Sequence, residues 1–236
     1  KRIVLSTSLP RVASASPGVW NQTMYMSGPK RARMIAMGSA AFDELLAGAA
    51  TMDRHFAEAP PERNMPMLMG LIGLWHHNFC GGASRAVISY EHGLALLPPY
   101  LQQLEMESLG KSVTQKGKPL RTSSGTVVWG NLGIEAQHAY MQALHQGTQP
   151  VACDFIAPIR RYQRADESGL ALQHQHELSL ANCFAQSRGL MLGDPSDDGH
   201  RHYPGNQPSN TLLLGELTPY SMGQLIALYE HQVYVA

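Results

Sequence analysis

The stretch Thr126-Val-Val-Trp129-Gly-Asn-Leu-Gly-Ile-Glu-Ala-Gln137-His138-Ala-Tyr-Met-Gln-Ala-Leu-His145-Gln-Gly147, followed by Val151-Ala-Cys-Asp-Phe-Ile156, decides the fold class. A β-branched and aromatic run passes through a glycine-bearing turn into a helical pattern over Glu135 to Gln146. Gly147 ends that pattern, and a second apolar run follows at once. Strand, helix, strand in so few residues predicts a crossover unit, hence an α/β domain with a mainly parallel sheet flanked by helices.

Outward from this unit the same alternation continues. Further strands are expected at Ile3 to Ser6, Ala86 to Tyr90 and Thr211 to Leu214. Helices are expected at Ala40 to Phe56, Pro66 to Phe79, Pro98 to Ser108, Leu172 to Leu192 and Thr218 to Tyr234. The second of these is almost wholly apolar, which predicts burial on most sides. Gly81-Gly82 and Pro98-Pro99 fall where a helix should end and another begin. Ala57 to Asn64 and Asp194 to Asn210 read as surface loops, and Leu9 to Met37 has no clear period. Lys1-Arg2 leads straight into an apolar run, and the far end stops inside one, so both ends read as cuts and the chain as part of a longer polypeptide.

Composition narrows the function. Of 236 residues, 44% are hydrophobic and 15% charged, enough for a sizeable core. Eighteen basic residues balance eighteen acidic ones, so no net positive field draws nucleic acid or anionic lipid. No apolar run approaches the roughly 20 residues that span a bilayer. Cys80, Cys153 and Cys183 form no CxxC pair and are odd in number, which argues against a disulfide scaffold and for a reducing cytoplasm. Cys153, inside an apolar strand, reads as buried filler. His76-His77, His174 with His176 and His200 with His202 lack the spacing of a metal site, and there is no phosphate-cradling glycine loop and no GxSxG elbow.

Two titratable groups stand out. In Pro98 to Lys111, Tyr100, Leu101, Leu104 and Ser108 mark an inner helix face, with Gln103 and Glu107 one turn apart at its border. Glu107 is therefore expected to face partly inward, lose hydration and act as a base of raised pKa suited to lifting a proton from carbon. The alternative is a solvated side chain paired with Lys111. His138 is expected in the first turn of its helix, where the dipole keeps the ring neutral, at the carboxyl edge of the sheet. A capping or packing role is the alternative there.

Several separated motifs, in order, resemble the glucose-6-phosphate isomerase family: Phe42-Asp-Glu-Leu-Leu-Ala-Gly-Ala49, Met52-Asp-Arg-His-Phe56, Leu101-Gln-Gln-Leu-Glu-Met-Glu-Ser-Leu-Gly-Lys-Ser112, Gln137-His-Ala-Tyr140, Cys153-Asp-Phe-Ile-Ala-Pro158, Pro204-Gly-Asn-Gln-Pro-Ser-Asn210 and Ala227-Leu-Tyr-Glu-His231. The resemblance runs from about Gly38 to Val235 and leaves residues 1–37 poorly matched. It implies a sugar-isomerase (SIS) fold of two subdomains, of which this chain supplies mainly the second. It further implies cytoplasmic interconversion of glucose 6-phosphate and fructose 6-phosphate, a step of glycolysis and gluconeogenesis, without metal or organic cofactor. On the matching positions, Glu107 moves a proton between C1 and C2 through a cis-enediol, and Gln103 binds substrate. His138 assists ring opening from the partner subunit of a homodimer.

The sequence also departs from that pattern. Trp20-Asn-Gln-Thr-Met24 stands where a Gly-Gly-Arg-Tyr-Ser segment is expected, so its enediolate-steadying arginine is missing or displaced, with Arg31 and Arg33 nearby out of frame. Leu109 and Glu135 each stand where the family carries asparagine. These losses leave open a second reading, a non-catalytic sugar-phosphate-binding or regulatory module of the same fold.

Overall fold

A computed structural model describes residues 37–161 and 169–236. The expected strand at Ile3 to Ser6, the segment Trp20 to Met24, and Arg31 and Arg33 lie outside the described residues. Four strands, β1 (Ser84–Ser89), β2 (Val127–Leu132), β3 (Val151–Arg160) and β4 (Ser209–Glu216), form one sheet in the order β2-β1-β3-β4. Every pairing is parallel, with Ala86 opposite both Trp129 and Cys153. This is the expected α/β sheet.

Strand side chains alternate between the two faces, and each face carries its own core. Val87, Val128, Ile156, Leu212 and Leu214 pack with helices α1 (Ser39–Glu58), α2 (Met65–Phe79), α3 (Leu97–Leu101) and α7 (Pro219–Val235). Ala86, Ile88, Cys153, Phe155 and Ala157 face α4 (Gly133–Ala139), α5 (Met141–Gln146) and α6 (Leu170–Leu192). Fully buried Phe155, Ile88 and Ile156 each contribute about 1.5–3 kcal/mol by leaving water.

The helix α7 is the most deeply buried, and its start is fixed locally. Pro219 occupies the first turn, and Thr218 and Ser221 exchange bonds as a capping box, with the Ser221 N–H donating to Thr218 Oγ1 at 3.2 Å. It crosses α1 with backbone nearly touching backbone: a Cβ added at Gly223 would lie 1.9 Å from the Leu45 carbonyl oxygen, and one at Gly48 would lie 1.8 Å from that of Tyr220. Only glycine permits this approach.

Three expectations need correction. The helix expected over Glu135 to Gln146 is two, broken at Tyr140, whose φ of −146° leaves the helical region. Its ring packs edge-on against Trp129 at 4.7 Å between centroids, and this tertiary anchor overrides the local pattern. The apolar helix α2 is not buried on most sides: Leu71, Ile72, Trp75 and Phe79 are exposed, and only Pro66, Met69 and Gly70 are buried. Asn64, in an expected surface loop, is buried because it stitches α1 to α2. Its Nδ2 donates to Phe56 O at 2.7 Å, and its Oδ1 accepts from Met67 N at 3.2 Å. Among the described residues no helix is long and apolar enough to cross a membrane.

Candidate active site

The segment expected as one helix over Pro98 to Ser108 starts as α3 and continues as a π-helical turn, Gln102–Glu107. Pro98 and Pro99 bring no N–H to the first turn, and the Gln102 N–H is shared between their carbonyls. The Gln102 side chain then donates to Val128 O at 3.1 Å, tying the turn to β2. Such single-turn π segments recur at functional sites.

Within this turn one residue is buried, and it is Glu105. Gln103 and Glu107, two residues to either side, are exposed. The sequence reading placed Glu107 partly inward; Glu105, four residues after buried Leu101, faces inward instead, and the Glu107 carboxylate meets solvent. The loss of hydration expected at Glu107 therefore does not occur within the described residues. The ion pair with Lys111 is absent as well: the Lys111 ammonium donates to the Glu107 backbone carbonyl, and among the described residues the carboxylate has no partner.

Glu105 belongs to a buried polar network that the sequence reading missed. Its carboxylate pairs with Arg85 of β1 and accepts from Thr126 Oγ1 at 3.1 Å. Arg85 Nε lies 3.7 Å from Asp154 of β3, and its guanidinium sits 5.6 Å from the centroid of the Tyr229 ring. Asp154 accepts from Asn210 Nδ2 at 2.8 Å and from Tyr229 OH at 3.2 Å. Burial works against the Arg85 cation, but Asp154 and then Glu105 outweigh it and raise its pKa. Burial also raises the Glu105 carboxyl, opposed chiefly by Arg85 and the Thr126 hydroxyl. Signals for this network were present: Asp154 interrupts the apolar run Val151 to Ile156, Arg85 directly precedes Ala86-Val-Ile88, and Glu105 lies four residues after buried Leu101.

His138 is exposed in the last turn of α4, not the first, because the helix begins at Gly133 directly after β2. The close start has a steric cause, since a Cβ at Gly133 would lie 2.4 Å from the Tyr90 ring. His138 lines a cleft of about 880 Å³ with Tyr140, His145, Gln186, Arg188 and Tyr203, where His145 Nε2 meets Gln186 Oε1 at 2.7 Å. A second cavity of about 650 Å³ is bounded by Arg85, Glu105, Ser108, Leu109 and Lys111. Gln103 and Glu107 are exposed on the π turn and line neither of these two cavities, so His138 shares neither with them.

Two residues that depart from the resembled pattern are placed too: Leu109 is half-buried beside Gly125, and Glu135 is exposed. Cys153 is buried, as expected of filler, and burial followed by Asp154 pushes its thiol up to about 12. His176 is buried against Ile159 O at 3.2 Å, while His174, His200 and His202 are exposed. Among the described residues no three His, Cys, Asp or Glu side chains converge as metal ligands.

Comparison with known proteins places this arrangement. The chain is 54% identical over 209 residues to glucose-6-phosphate isomerase 2 of Chromohalobacter salexigens, covering 85% of this chain and 37% of that one. It is 54% identical over 213 residues to the glucose-6-phosphate isomerase of Psychrobacter arcticus, covering 85% and 38%. The crystal structure of a glucose-6-phosphate isomerase from Chlamydia trachomatis superposes with a TM-score of 0.75 at 36% identity, over 83% of this chain and 38% of that one. The chain thus spans about two fifths of the length of these relatives. The phosphoglucose isomerase pattern matches residues 31–236, and the chain belongs to that family.

Proposed function

We propose that the polypeptide carrying this chain is an aldose–ketose isomerase that interconverts glucose 6-phosphate and fructose 6-phosphate. The observation that carries this reading is the pair Gln103 and Glu107, presented to solvent on one π turn in a chain 54% identical to a glucose-6-phosphate isomerase. A C2 proton beside a carbonyl is weakly acidic, so its removal needs a base held within hydrogen-bond reach. Glu107 takes that proton from C2 and returns it to C1, passing through a cis-enediol. Gln103, four residues earlier, donates its amide to the substrate. His138 exchanges the proton of the ring oxygen when the pyranose opens. The reaction redistributes two hydrogens within one molecule and requires no redox or metal cofactor.

His138 lines a cleft that Glu107 does not, which suits a homodimer in which each subunit lends its imidazole to the other's site. The chain then forms the second SIS-type subdomain of a longer isomerase working in the cytoplasm. The test is tritium exchange from solvent into C2 of the hexose phosphate, using the full natural polypeptide. Exchange that accompanies isomerisation supports the reading. Hexose phosphate binding without exchange replaces it with a binding module.

A further inference from the structure

We propose that Arg85, acting through Glu105, is a positioning residue that fixes the angle at which the π turn presents Gln103 and Glu107. The inference rests on the isomerase reading above and adds two buried residues beneath the turn.

In a π turn bonded from i to i+5, residues two apart point to nearly opposite sides. Glu105 lies midway between Gln103 and Glu107, and the exposures follow that rule: Glu105 is buried and both neighbours are exposed. Whatever holds Glu105 therefore sets the orientation of both functional side chains. The holder is unusually rigid. Arg85 is buried in the first half of a central strand and reaches Glu105 on one side and Asp154 on the other. Asp154 is itself fixed by Asn210 of β4 and Tyr229 of α7, and Thr126 takes the second Glu105 oxygen. The network connects three strands and one helix to a single turn. Packing alone does not require it, since apolar residues of similar volume fill such spaces at comparable or better stability.

Positioning has a distinct kinetic signature. Misplacing a base by about 1 Å costs on the order of 10²-fold in the chemical step while leaving remote binding contacts in place. The decisive variants are Glu105→Gln, which keeps the shape and the contact with Thr126 but removes the charge, and Arg85→Met with Glu105→Gln together, which removes that ion pair whole and leaves Asp154 its hydrogen bonds from Asn210 and Tyr229. In the full polypeptide, each is compared with wild type for kcat and for the inhibition constant of a hexitol 6-phosphate, a probe with no carbonyl to isomerise. Folded protein is counted by circular dichroism. We expect kcat per folded enzyme to fall about tenfold or more, a larger loss than that in probe affinity, to which the displaced Gln103 contributes. If the double variant does not fold, Glu105→Gln alone decides. Unchanged kcat with reduced stability overturns the proposal and leaves the isomerase reading intact. A wild-type enzyme with no isomerisation and no C2 exchange overturns both.

Discussion

Replacing Gly223 by alanine tests the packing at the centre of the fold, because two simple arguments give opposite signs. By helix propensity alone, alanine in the interior of α7 stabilises by about 1 kcal/mol. The structure argues the reverse. The added methyl would stand 1.9 Å from Leu45 O and 3.0 Å from Ala49 N, both backbone atoms of α1 that no rotamer change can move. Restoring ordinary contact requires the helices to separate by about 1.5 Å, and a gap of even 0.5–1 Å forfeits a quarter to a half of each dispersion contact along the seam. Overpacking of this kind costs about 1–3 kcal/mol, and with backbone on both sides the upper end applies. After the propensity gain, net destabilisation is about 2 kcal/mol, read as a lower urea midpoint at unchanged slope. Gly73→Ala in α2 is the control: nothing lies within 4 Å of its added Cβ, so it should stabilise by about 0.5–1 kcal/mol. A Gly223 variant as stable as wild type, or more so, refutes the reasoning.

Other predictions follow from single contacts. Thr218→Ala removes the acceptor of the Ser221 N–H at the start of α7 and should cost about 1 kcal/mol, while Thr218→Ser keeps it; urea unfolding of the two variants checks this. Burial pushes the Cys153 and Cys183 thiols from 9.0 to about 12, so the native state holds protons that the unfolded chain releases between those values. Their stability contribution is therefore whole below about pH 9 and declines as pH rises toward 12, visible as a falling urea midpoint over that range. At pH 8 an aromatic disulfide reagent should label exposed Cys80 and spare both buried thiols, as peptide mass mapping would report. Burial lowers the His55 pKa, and its Nε2 accepts the Met65 N–H at 3.1 Å, which only the neutral ring can do. Its contribution is present above 6.5 and lost as pH falls through its lowered value, so His55→Gln should flatten the acid side of the stability profile.

Periodicity made most of the architecture legible. The runs at Ala86, Thr126, Val151 and Thr211 each became a strand, because an apolar run bounded by breakers has few other ways to be buried. Local pattern failed where a tertiary contact decided the backbone. Tyr140 breaks its helix to meet Trp129, and Glu105 turns inward to Arg85 while Glu107 faces solvent. Glu107 and His138 stood out from their positions on expected helices, and motif order gave them and Gln103 their roles, whereas their surroundings were not legible. Spacing gives the face of a regular helix and cannot register a change of helix type or a helix that starts two residues early. Of the network, Asp154 was readable as a charge inside an apolar run and Arg85 as one at the edge of another, a signal that hydrophobic periodicity passes over.

The account depends above all on the Glu107 carboxylate as the group that carries hydrogen between neighbouring sugar carbons. Glu107→Gln in the full polypeptide, measured as steady-state turnover of fructose 6-phosphate, keeps the shape and removes the base. Turnover should fall about 10²-fold or more. Retention of more than about a tenth of wild-type turnover contradicts the assignment, since the loss of a general base cannot be so small.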